Sequence, residues 1–349
     1  MPLNERALQL KNWFTQWLEA HHRDWGALLS MQMVSGDASF RRYFRMFLPG
    51  RSLIAVDAPP QHENNPAFVA IASALRAHGL VTPEVFAWET EAGFLLLSDL
   101  GDRLLLAALK DSPVDVLYRQ AMQQLLRMQE CDRIPGWTLP LYDRLRLRDE
   151  MHLFHDWFIS KYLGLTLDFE AHAILDNALE SVLEQIQCWP VCFVHRDFHA
   201  RNLMLLDNGE LGIIDFQDAV QGPFNYDLIS LLRDAYVVWP KQQVQRWMLE
   251  FAAELRQCGR LQGMGDTEFL RSCDWMSVQR HLKILGIFAR LCLRDGKPGY
   301  LQDMPLVFAY LRDELQRLPA LDGFAHWLDK QIIPAFESKS GRTLPVLPE

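Results

Sequence analysis

Hydrophobic positions divide the chain into a strand-rich first part and a helix-rich second part. After an amphipathic helix over 8–20, short apolar or alternating runs predict strands, which a helix beginning at Asn65 interrupts. From residue 114 onward, apolar residues recur at intervals typical of helices that bury one face. We therefore expect an α+β protein with a small antiparallel sheet and a larger, mainly helical remainder. The strands are predicted at 31–34, 43–48, 53–56, 85–88 and 94–97, and the later helices at 114–129, 145–162, 170–186, 226–237, 242–256, 268–294 and 307–315.

The change from strands to helices coincides with the turn residues Ser98-Asp99-Leu100-Gly101. We predict an N-terminal lobe over 1–98, a hinge over 99–102 and a C-terminal lobe over 103–349. A chain of 349 residues, 49% of them hydrophobic, is long enough to give each lobe its own core. Glycine and proline interrupt the last residues, 338–349, which are expected to lie extended.

The composition indicates a protein that acts neither on nucleic acid nor at an anionic membrane. The formal net charge is −9, which disfavours polyanionic partners. Six cysteines are scattered, and the close pair Cys188 and Cys192 lacks the second pair that a structural zinc site needs. The first residues lack the signature of a signal peptide, and no apolar run has the length of a membrane span. We therefore expect a cytoplasmic protein with reduced thiols, and the sequence leaves its oligomeric state open.

One segment carries the groups that phosphoryl transfer from a nucleotide to a hydroxyl requires. The run from His195 to Asp197 follows an apolar strand pattern at 191–194, and a hairpin pattern at 203–214 returns Asp215 to the same place. Asp197 would accept or orient the proton of the attacking hydroxyl, and Asn202 and Asp215 would hold Mg²⁺. A hard cation needs oxygen ligands from more than one segment, and the loop and the hairpin supply them. The alternative is a surface loop with chance polar residues.

The order of motifs resembles that of the aminoglycoside phosphotransferase and choline kinase family, which is built on the protein-kinase fold. Asp215-Phe216-Gln217-Asp218 is followed by Gly222-Pro223 and Tyr226-Asp227-Leu228, as is typical of that family. The stretches 35–45 and 56–60 resemble most its bacterial branch of anomeric N-acetylmuramate and N-acetylglucosamine kinases, which act in cell-wall recycling. The resemblance implies a two-lobed protein-kinase-like fold, ATP and Mg²⁺ as cofactors, and an amino sugar as the small-molecule acceptor.

The resemblance also implies where the nucleotide would bind. A loop of small residues before the second strand would let backbone N–H groups approach phosphate oxygens. Backbone groups of the hinge would hold the adenine. Independently of the resemblance, the arginines beside the loop are candidates for the phosphates, because a guanidinium can donate to two phosphate oxygens. The predicted nucleotide-binding residues are Ser35, Gly36, Ser39, Arg42, Arg45, Leu97, Asp99 and Leu100.

Three further expectations concern residues near the catalytic segment. His195 is expected to organise the loop, the structural role that such a histidine has in the family. Asp227, at the start of a predicted helix, is expected to cap backbone N–H groups of that helix. Contacts with the acceptor are predicted for His199, Gln217, Asp218 and Arg233.

The chain departs from the kinase pattern at one position. Kinases bind the nucleotide phosphates with a lysine on the third strand, which pairs with a glutamate on the following helix. Here Asp57 occupies the position expected for the lysine, and the helix at 68–76 contains no acidic residue. Either the protein is a degenerate pseudokinase, or an arginine replaces the lysine. Arg45 is the first choice over Arg41 and Arg42, and the alternative is that all three are solvated surface charges.

The chemistry predicted is direct transfer of the γ-phosphoryl group of ATP to a hydroxyl. No phosphoenzyme is expected, because the segment contains a base and metal ligands but no positioned nucleophile. An anomeric hydroxyl is more acidic than an ordinary alcohol, and the basic stretch 266–297 suits an acceptor that carries a carboxylate. The alternatives are an aminoglycoside, homoserine or choline-type kinase and, in another class, a nucleotide-binding pseudokinase that acts as a scaffold.

Overall fold

The computed structural model of the protein describes residues 5–34, 40–261 and 263–349. Packing divides the chain into two compact units. The first unit comprises Met1–Pro113, Glu130–Thr138 and Arg201–Asp218, and the second comprises Val114–Gln129, Leu139–Ala200 and Ala219–Glu349. The predicted hinge at 99–102 stays a prediction.

Among the described residues, helices and strands alternate in the first part of the chain, and the rest is mainly helical. The α-helices are α1 (Glu5–His21), α2 (Asn65–Ala77), α3 (Leu105–Ala108), α4 (Val114–Met128), α5 (Arg144–Leu153), α6 (Phe169–Ile186), α7 (Tyr226–Leu232), α8 (Lys241–Gln257), α9 (Asp266–Leu293), α10 (Met304–Leu315), α11 (Asp322–Trp327) and α12 (Ile333–Ser340). The strands are β1 (Ser30–Val34), β2 (Arg42–Leu48), β3 (Arg51–Asp57), β4 (Val85–Glu89), β5 (Phe94–Ser98), β6 (Val191–Val194), β7 (Leu203–Leu205), β8 (Leu211–Ile213) and β9 (Val220–Pro223). Phe154–Leu163 continues α5, and Leu328–Ile332 continues α11, as wider π-helical segments.

The first unit contains a five-stranded antiparallel sheet with the strand order β1-β2-β3-β5-β4. Alternate residues of a strand point to opposite faces, so Phe44 and Met46 of β2 share a face with Leu53 of β3. These side chains pack against Leu10 and Phe14 of α1 in one buried cluster. Removal of this apolar surface from water stabilises the sheet and α1 together.

Helix α2 begins where its sequence signals predict. The Asn64 side chain accepts a hydrogen bond from the backbone N–H of Ala67 at 3.2 Å, which caps the first turn. Pro66 occupies a first-turn position, where the N–H group that it lacks would have no partner within the helix. The local signals are therefore sufficient to place the start of this helix.

The hairpin of β7 and β8 also belongs to the first unit. Its turn has Gly209 at a φ of 82°, a left-handed conformation that glycine adopts without strain. Strand β8 continues beside Val81, whose carbonyl accepts a hydrogen bond from the N–H of Ile213 at 2.7 Å. The hairpin is thus attached to the chain that follows α2, and this fixes the position from which Asp215 emerges.

Helix α9 is the buried centre of the second unit, with α5, α6, α7, α8 and α10 packed against it. At Gly286 of this helix a side-chain Cβ would lie 2.3 Å from the backbone carbonyl carbon of Leu153. Glycine is therefore what allows α9 to approach the end of α5 this closely. In the same unit, β6 pairs with β9 in a two-stranded antiparallel ribbon.

The structure confirms the predicted α+β class and corrects some of the predicted elements. The helix predicted at 226–237 ends at Leu232. The chain turns there, and the carboxylate of Asp234 accepts hydrogen bonds from the backbone N–H groups of Ala200 at 3.2 Å and Tyr236 at 3.1 Å. Strand β9 and the helices between 322 and 340 were not predicted. No helix of the described ranges combines the length and apolarity needed to cross a membrane.

Candidate active site

A buried carboxylate on α7 fixes the loop that carries Asp197. Asp227 is 1% exposed and accepts hydrogen bonds from the backbone N–H groups of His195 at 2.6 Å and Arg196 at 3.0 Å. Arg196 has a φ of 79°, so these bonds hold a strained conformation in place. The expectation that Asp227 caps its own helix was wrong, because its carboxylate binds the catalytic loop and Asn225 is the N-cap residue.

His195 lies inside this loop. It is fully buried, and its Nδ1 atom accepts a hydrogen bond from the backbone N–H of Asp197 at 3.3 Å. Its ring meets that of Phe198 edge to face, with the centroids 5.8 Å apart. These contacts fit a histidine that holds the loop, which is the role predicted for it.

The carboxylate of Asp197 lies among cations of the second unit. Burial would raise its pKa, but Lys283, His199, Arg196 and Arg280 together lower it to about 2. The group is therefore ionised at neutral pH and can accept a hydrogen bond from a hydroxyl. A carboxylate with so low a pKa is a weak base, so its first contribution would be to orient the hydroxyl.

Glu150 of α5 holds two of these cations. It forms ion pairs with Arg196 and, at 3.4 Å, with Lys283. The Nζ atom of Lys283 also donates to the hydroxyl of Tyr226 at 2.9 Å. Burial would lower the pKa of Lys283, but Glu150, Tyr226 and Asp197 raise it above its ordinary value, so the ammonium stays charged. Sequence reasoning missed Glu150, because no local pattern distinguishes it from an ordinary helix residue. Tyr226 lies in a recognised motif, but nothing in the motif indicates its contact with Lys283.

Asp215 and two amide side chains form a hydrogen-bonded cluster in the first unit. Asn202 Nδ2 donates to one carboxylate oxygen of Asp215 at 3.3 Å, and Gln217 Nε2 donates to the other at 2.8 Å. The backbone N–H of Ile214 donates to the carbonyl of Asn202 at 3.1 Å, which joins the loop to the hairpin. Asp215 has a φ of 65°, one of the strained conformations that cluster at functional sites.

This set of groups fits Mg²⁺. Carboxylate and amide oxygens are hard ligands, and Mg²⁺ is usually bound by one or two carboxylates together with substrate phosphates and water. The described ranges hold no group of three or more His, Cys, Asp or Glu residues that could bind a metal by themselves. A metal at Asp215 and Asn202 would therefore take its other ligands from the nucleotide and water. Gln217, predicted to contact the acceptor, lies against the Asp215 carboxylate, and its acceptor role stays a prediction.

Two arginines predicted to bind phosphate direct their guanidinium groups at carboxylates. The Nε atoms of Arg42 and Arg6 donate to the two oxygens of Asp57, at 3.1 Å and 3.0 Å. Arg45 donates to Asp99 at 2.6 Å. The phosphate role predicted for Arg42 and Arg45 stays a prediction. The contacts of Asp57 show that it binds α1 through Arg6 and lies on the face of the sheet that α1 covers.

The other predicted nucleotide contacts stay predictions. Leu97 is buried in β5 opposite Ile54 of β3, and the Leu100 side chain packs against Gly212 of β8. Asp99 is the ion-pair partner of Arg45. The predicted loop residues Ser35, Gly36 and Ser39 lie outside the described residues.

The predicted acceptor residues have different surroundings. His199 contributes to the low pKa of Asp197, so it lies near the catalytic carboxylate. Asp218 is exposed. Arg233 donates to buried carboxylates on α9 and α10 at 2.8 Å and 3.2 Å. Contact of these residues with an acceptor stays a prediction.

Known structures share this fold. The ADP-bound aminoglycoside phosphotransferase APH(2'')-Ib superposes with a TM-score of 0.57 at 13% identity, covering 88% of this chain and 98% of that one. The choline kinase LicA from Streptococcus pneumoniae superposes with a TM-score of 0.58 at 11% identity, covering 91% of this chain and 99% of that one. At these identities the likeness establishes the fold alone, and it confirms the predicted protein-kinase-like fold.

Sequence relatives establish the family. The sequence pattern of the phosphotransferase enzyme family matches residues 30–269. The N-acetylmuramate/N-acetylglucosamine kinase of Pseudomonas aeruginosa is 43% identical over 303 residues, which cover 85% of this chain and 88% of the relative. Because the family pattern spans more than half of the chain and the relative aligns over most of both sequences, this chain belongs to the phosphotransferase enzyme family and is a kinase.

Proposed function

We propose that this protein transfers the γ-phosphoryl group of ATP, with Mg²⁺, to the anomeric hydroxyl of N-acetylmuramate or N-acetylglucosamine in the cytoplasm, as a step of peptidoglycan recycling. The observation that carries the proposal is the 43% identity to an N-acetylmuramate/N-acetylglucosamine kinase over 85% of the chain. The surroundings of Asp197 and Asp215 support it, because one carboxylate is ionised among cations and the other has amide neighbours suited to a metal.

The residues suggest how the transfer would proceed. Asp197 would orient the acceptor hydroxyl and take up its proton as the sugar oxygen bonds to the γ-phosphorus and the bond to the β-phosphate oxygen breaks, which leaves ADP. With a pKa of about 2, Asp197 is a weak base, and the relatively acidic anomeric hydroxyl suits it. Asn202 and Asp215 would hold Mg²⁺, which when bound neutralises charge on the phosphates.

A row of cations on α9 favours an anionic acceptor. Arg280, Lys283 and Arg290 recur at helical spacing, and the first two act on the charge of Asp197. Burial and the neighbouring Arg294 lower the pKa of Arg290, and its Nε atom is buried without a hydrogen-bond partner among the described residues. A carboxylate such as the lactyl group of N-acetylmuramate would supply the missing partner. A polycationic aminoglycoside or choline would be repelled by this row.

A nucleotide-binding pseudokinase that acts as a scaffold is the competing function. Asp57, at the position expected for the kinase lysine, is the feature that favours it. The structure gives Asp57 another purpose, since it binds Arg6 and Arg42 beneath α1. The presence of both Asp197 and Asp215 supports an active enzyme.

Turnover decides between these functions. Purified protein is incubated with ATP and Mg²⁺ and, in separate reactions, with N-acetylmuramate, N-acetylglucosamine, homoserine, choline or an aminoglycoside. We expect ATP consumption with the two amino sugars only, and a phosphorus NMR coupling to the anomeric proton of the product. Binding of ATP without consumption would favour the scaffold, and consumption with a cationic acceptor would overturn the amino-sugar assignment.

A further inference from the structure

Arg41, directly before β2, is a buried arginine with partners on and beside α2. Its side chain is 2% exposed, and its Nε atom lies 3.3 Å from a carboxylate oxygen of Glu63. Its guanidinium carbon lies 5.3 Å from the centre of the Phe68 ring. A charge withdrawn from water to this extent is placed by the fold, so Arg41 is not one of the solvated surface charges considered from the sequence.

A series of contacts leads from Arg41 to the metal-site carboxylate within the first unit. The Phe68 ring stacks on the ring of Phe216, with centroids 5.0 Å apart and planes inclined by 27°. Phe216 directly follows Asp215 in the chain. Tyr43 is affected by both charges, because burial raises its pKa to about 12, Arg41 opposes that rise and Asp215 adds to it. Arg41 therefore lies on the same side of the sheet as Asp215.

The neighbouring strands bring little other positive charge to this side of the sheet. Val56 of β3 is the residue opposite Tyr43, and Ser52 and Ile54, which share its face, carry no charge. Arg45 shares the face of Tyr43, but it directs its guanidinium at two carboxylates. Asp57 lies on the opposite face. Among the residues of β2 and β3 and the one that directly precedes β2, Arg41 is therefore the cation on this side besides Arg45, which two carboxylates hold.

We infer that Arg41 binds the phosphates of the nucleotide beside Asp215, and that Glu63 and Phe68 position it. The inference rests on the proposed use of a nucleoside triphosphate. Such a ligand brings several negative charges close to Asp215, and a guanidinium can donate to two phosphate oxygens at once. Glu63 also accepts a hydrogen bond from the backbone N–H of Phe40 at 3.0 Å, so one carboxylate fixes both the arginine and the chain that presents it. Arg41 and Glu63 would thus replace the lysine and glutamate of protein kinases.

The inference is tested by comparing the affinities of ligands that carry the same adenosine but different numbers of phosphates. The affinities of adenosine, AMP, ADP and ATP, with Mg²⁺, are measured by calorimetry for the wild type, Arg41→Met, Arg41→Lys and Glu63→Gln. We expect Arg41→Met to weaken ADP and ATP binding by roughly 10- to 100-fold, the range for hydrogen bonds to charged groups, and adenosine binding by less than about twofold. Arg41→Lys keeps the positive charge but not the paired N–H donors of the guanidinium, so it should lose less affinity for ADP and ATP than Arg41→Met. Arg76→Met, an exposed ion-paired arginine on α2, is the matched control and should leave all four affinities unchanged.

The opposite outcome is that Arg41→Met keeps the wild-type ratio of ATP affinity to adenosine affinity and shows only a lower melting temperature. Arg41 would then serve only to stabilise the fold through its ion pair with Glu63, and the inference would be overturned. If Arg41→Met does not fold, Arg41→Lys and Glu63→Gln decide the question. A loss of affinity for ADP and ATP alone supports the inference. An equal loss of affinity for adenosine and for ATP overturns it. Because no acceptor is present, a protein that phosphorylates no amino sugar but shows this Arg41-dependent binding would overturn the proposed acceptor and leave the inference intact.

Discussion

Single residues of the same type have different roles here because their partners differ. Cations surround Asp197 and keep it ionised. Two guanidinium groups bind Asp57, and amide groups face Asp215. Asp227 is buried and accepts hydrogen bonds from two backbone N–H groups of the catalytic loop. The environment of each carboxylate, and not the residue type, therefore determines its chemistry.

The substitution Asp197→Asn should lower kcat with an amino sugar and ATP by roughly 10²- to 10⁴-fold, because an amide cannot take up the proton of the hydroxyl. The affinity for ATP should change little, since we place this carboxylate at the acceptor. Steady-state kinetics and calorimetric titration with ATP measure the two effects. Asp207→Asn, in the exposed turn of the hairpin, is the control and should resemble the wild type. Near-normal turnover of Asp197→Asn would mean that the proton leaves by another route.

Asp227 should make stability depend on pH. Burial raises its pKa to about 6, against a value near 4 in an unfolded chain. Because the folded pKa is the higher one, the stabilising contribution of this group is fully present below about pH 4 and is lost as the pH rises through 6. The unfolding free energy of the wild type relative to Asp227→Asn, from urea denaturation, should therefore fall by on the order of 2 kcal/mol between pH 4 and 7. A difference that does not change with pH would contradict the raised pKa.

At the scale of elements, the sequence predicts what local signals specify. The start of α2 and the β7–β8 hairpin follow from Asn64, Pro66 and Gly209, each of which acts on its immediate neighbours. Strand β9 could not be predicted in this way, because Gly222-Pro223 is typical of a turn and only pairing with β6 makes the segment a strand.

In the candidate site, too, local motifs are predictable from the sequence and contacts between distant segments are not. Asn202 and Asp215 lie in a motif with a recognisable order, and their contact is what the sequence predicts. That Asp197 acts together with them stays a prediction. The role of Asp227 depends on N–H groups more than thirty residues earlier in the chain. The pairing of Arg41 with Glu63 depends on a turn of the chain that no periodicity encodes. Contacts between distant segments are therefore the part of the site that one sequence does not give.

The close approach of α9 to the end of α5 provides a test of packing. Gly286→Ala would place a methyl group 2.3 Å from the backbone of Leu153, so the helices must separate. We expect a loss of about 1–3 kcal/mol in the free energy of unfolding, as for overpacked cores. Gly323→Ala on α11 meets nothing within 4 Å and should be neutral or slightly stabilising, because alanine favours helices. Urea denaturation of both variants makes the comparison, and equal effects would contradict the close packing.

At the scale of the whole molecule, the net charge is negative although the proposed ligands are negative too. The formal net charge is −9, yet ATP and N-acetylmuramate are both anions. Attraction must therefore be local, since exposed charges separated by more than about 8 Å are largely screened at physiological salt. The described residues provide such local charge in two places, at Arg41 in the first unit and along α9 in the second. We expect the binding of each anion to depend on nearby cations and not on the net charge of the protein.

We expect Arg290 to distinguish the two amino sugars on this basis. Its half-buried guanidinium has a lowered pKa and a donor without a hydrogen-bond partner among the described residues, so a carboxylate would gain a charged hydrogen bond there. Arg290→Met should raise the KM for N-acetylmuramate by roughly tenfold, the lower end of the range for charged hydrogen bonds, and leave the KM for N-acetylglucosamine, which has no carboxylate, nearly unchanged. Arg312→Met on α10, an exposed arginine paired with Asp329, is the control and should change neither KM. Steady-state kinetics with both sugars at saturating ATP measure the effect. Equal increases for the two sugars would show that Arg290 supports the fold of α9 and does not recognise the carboxylate.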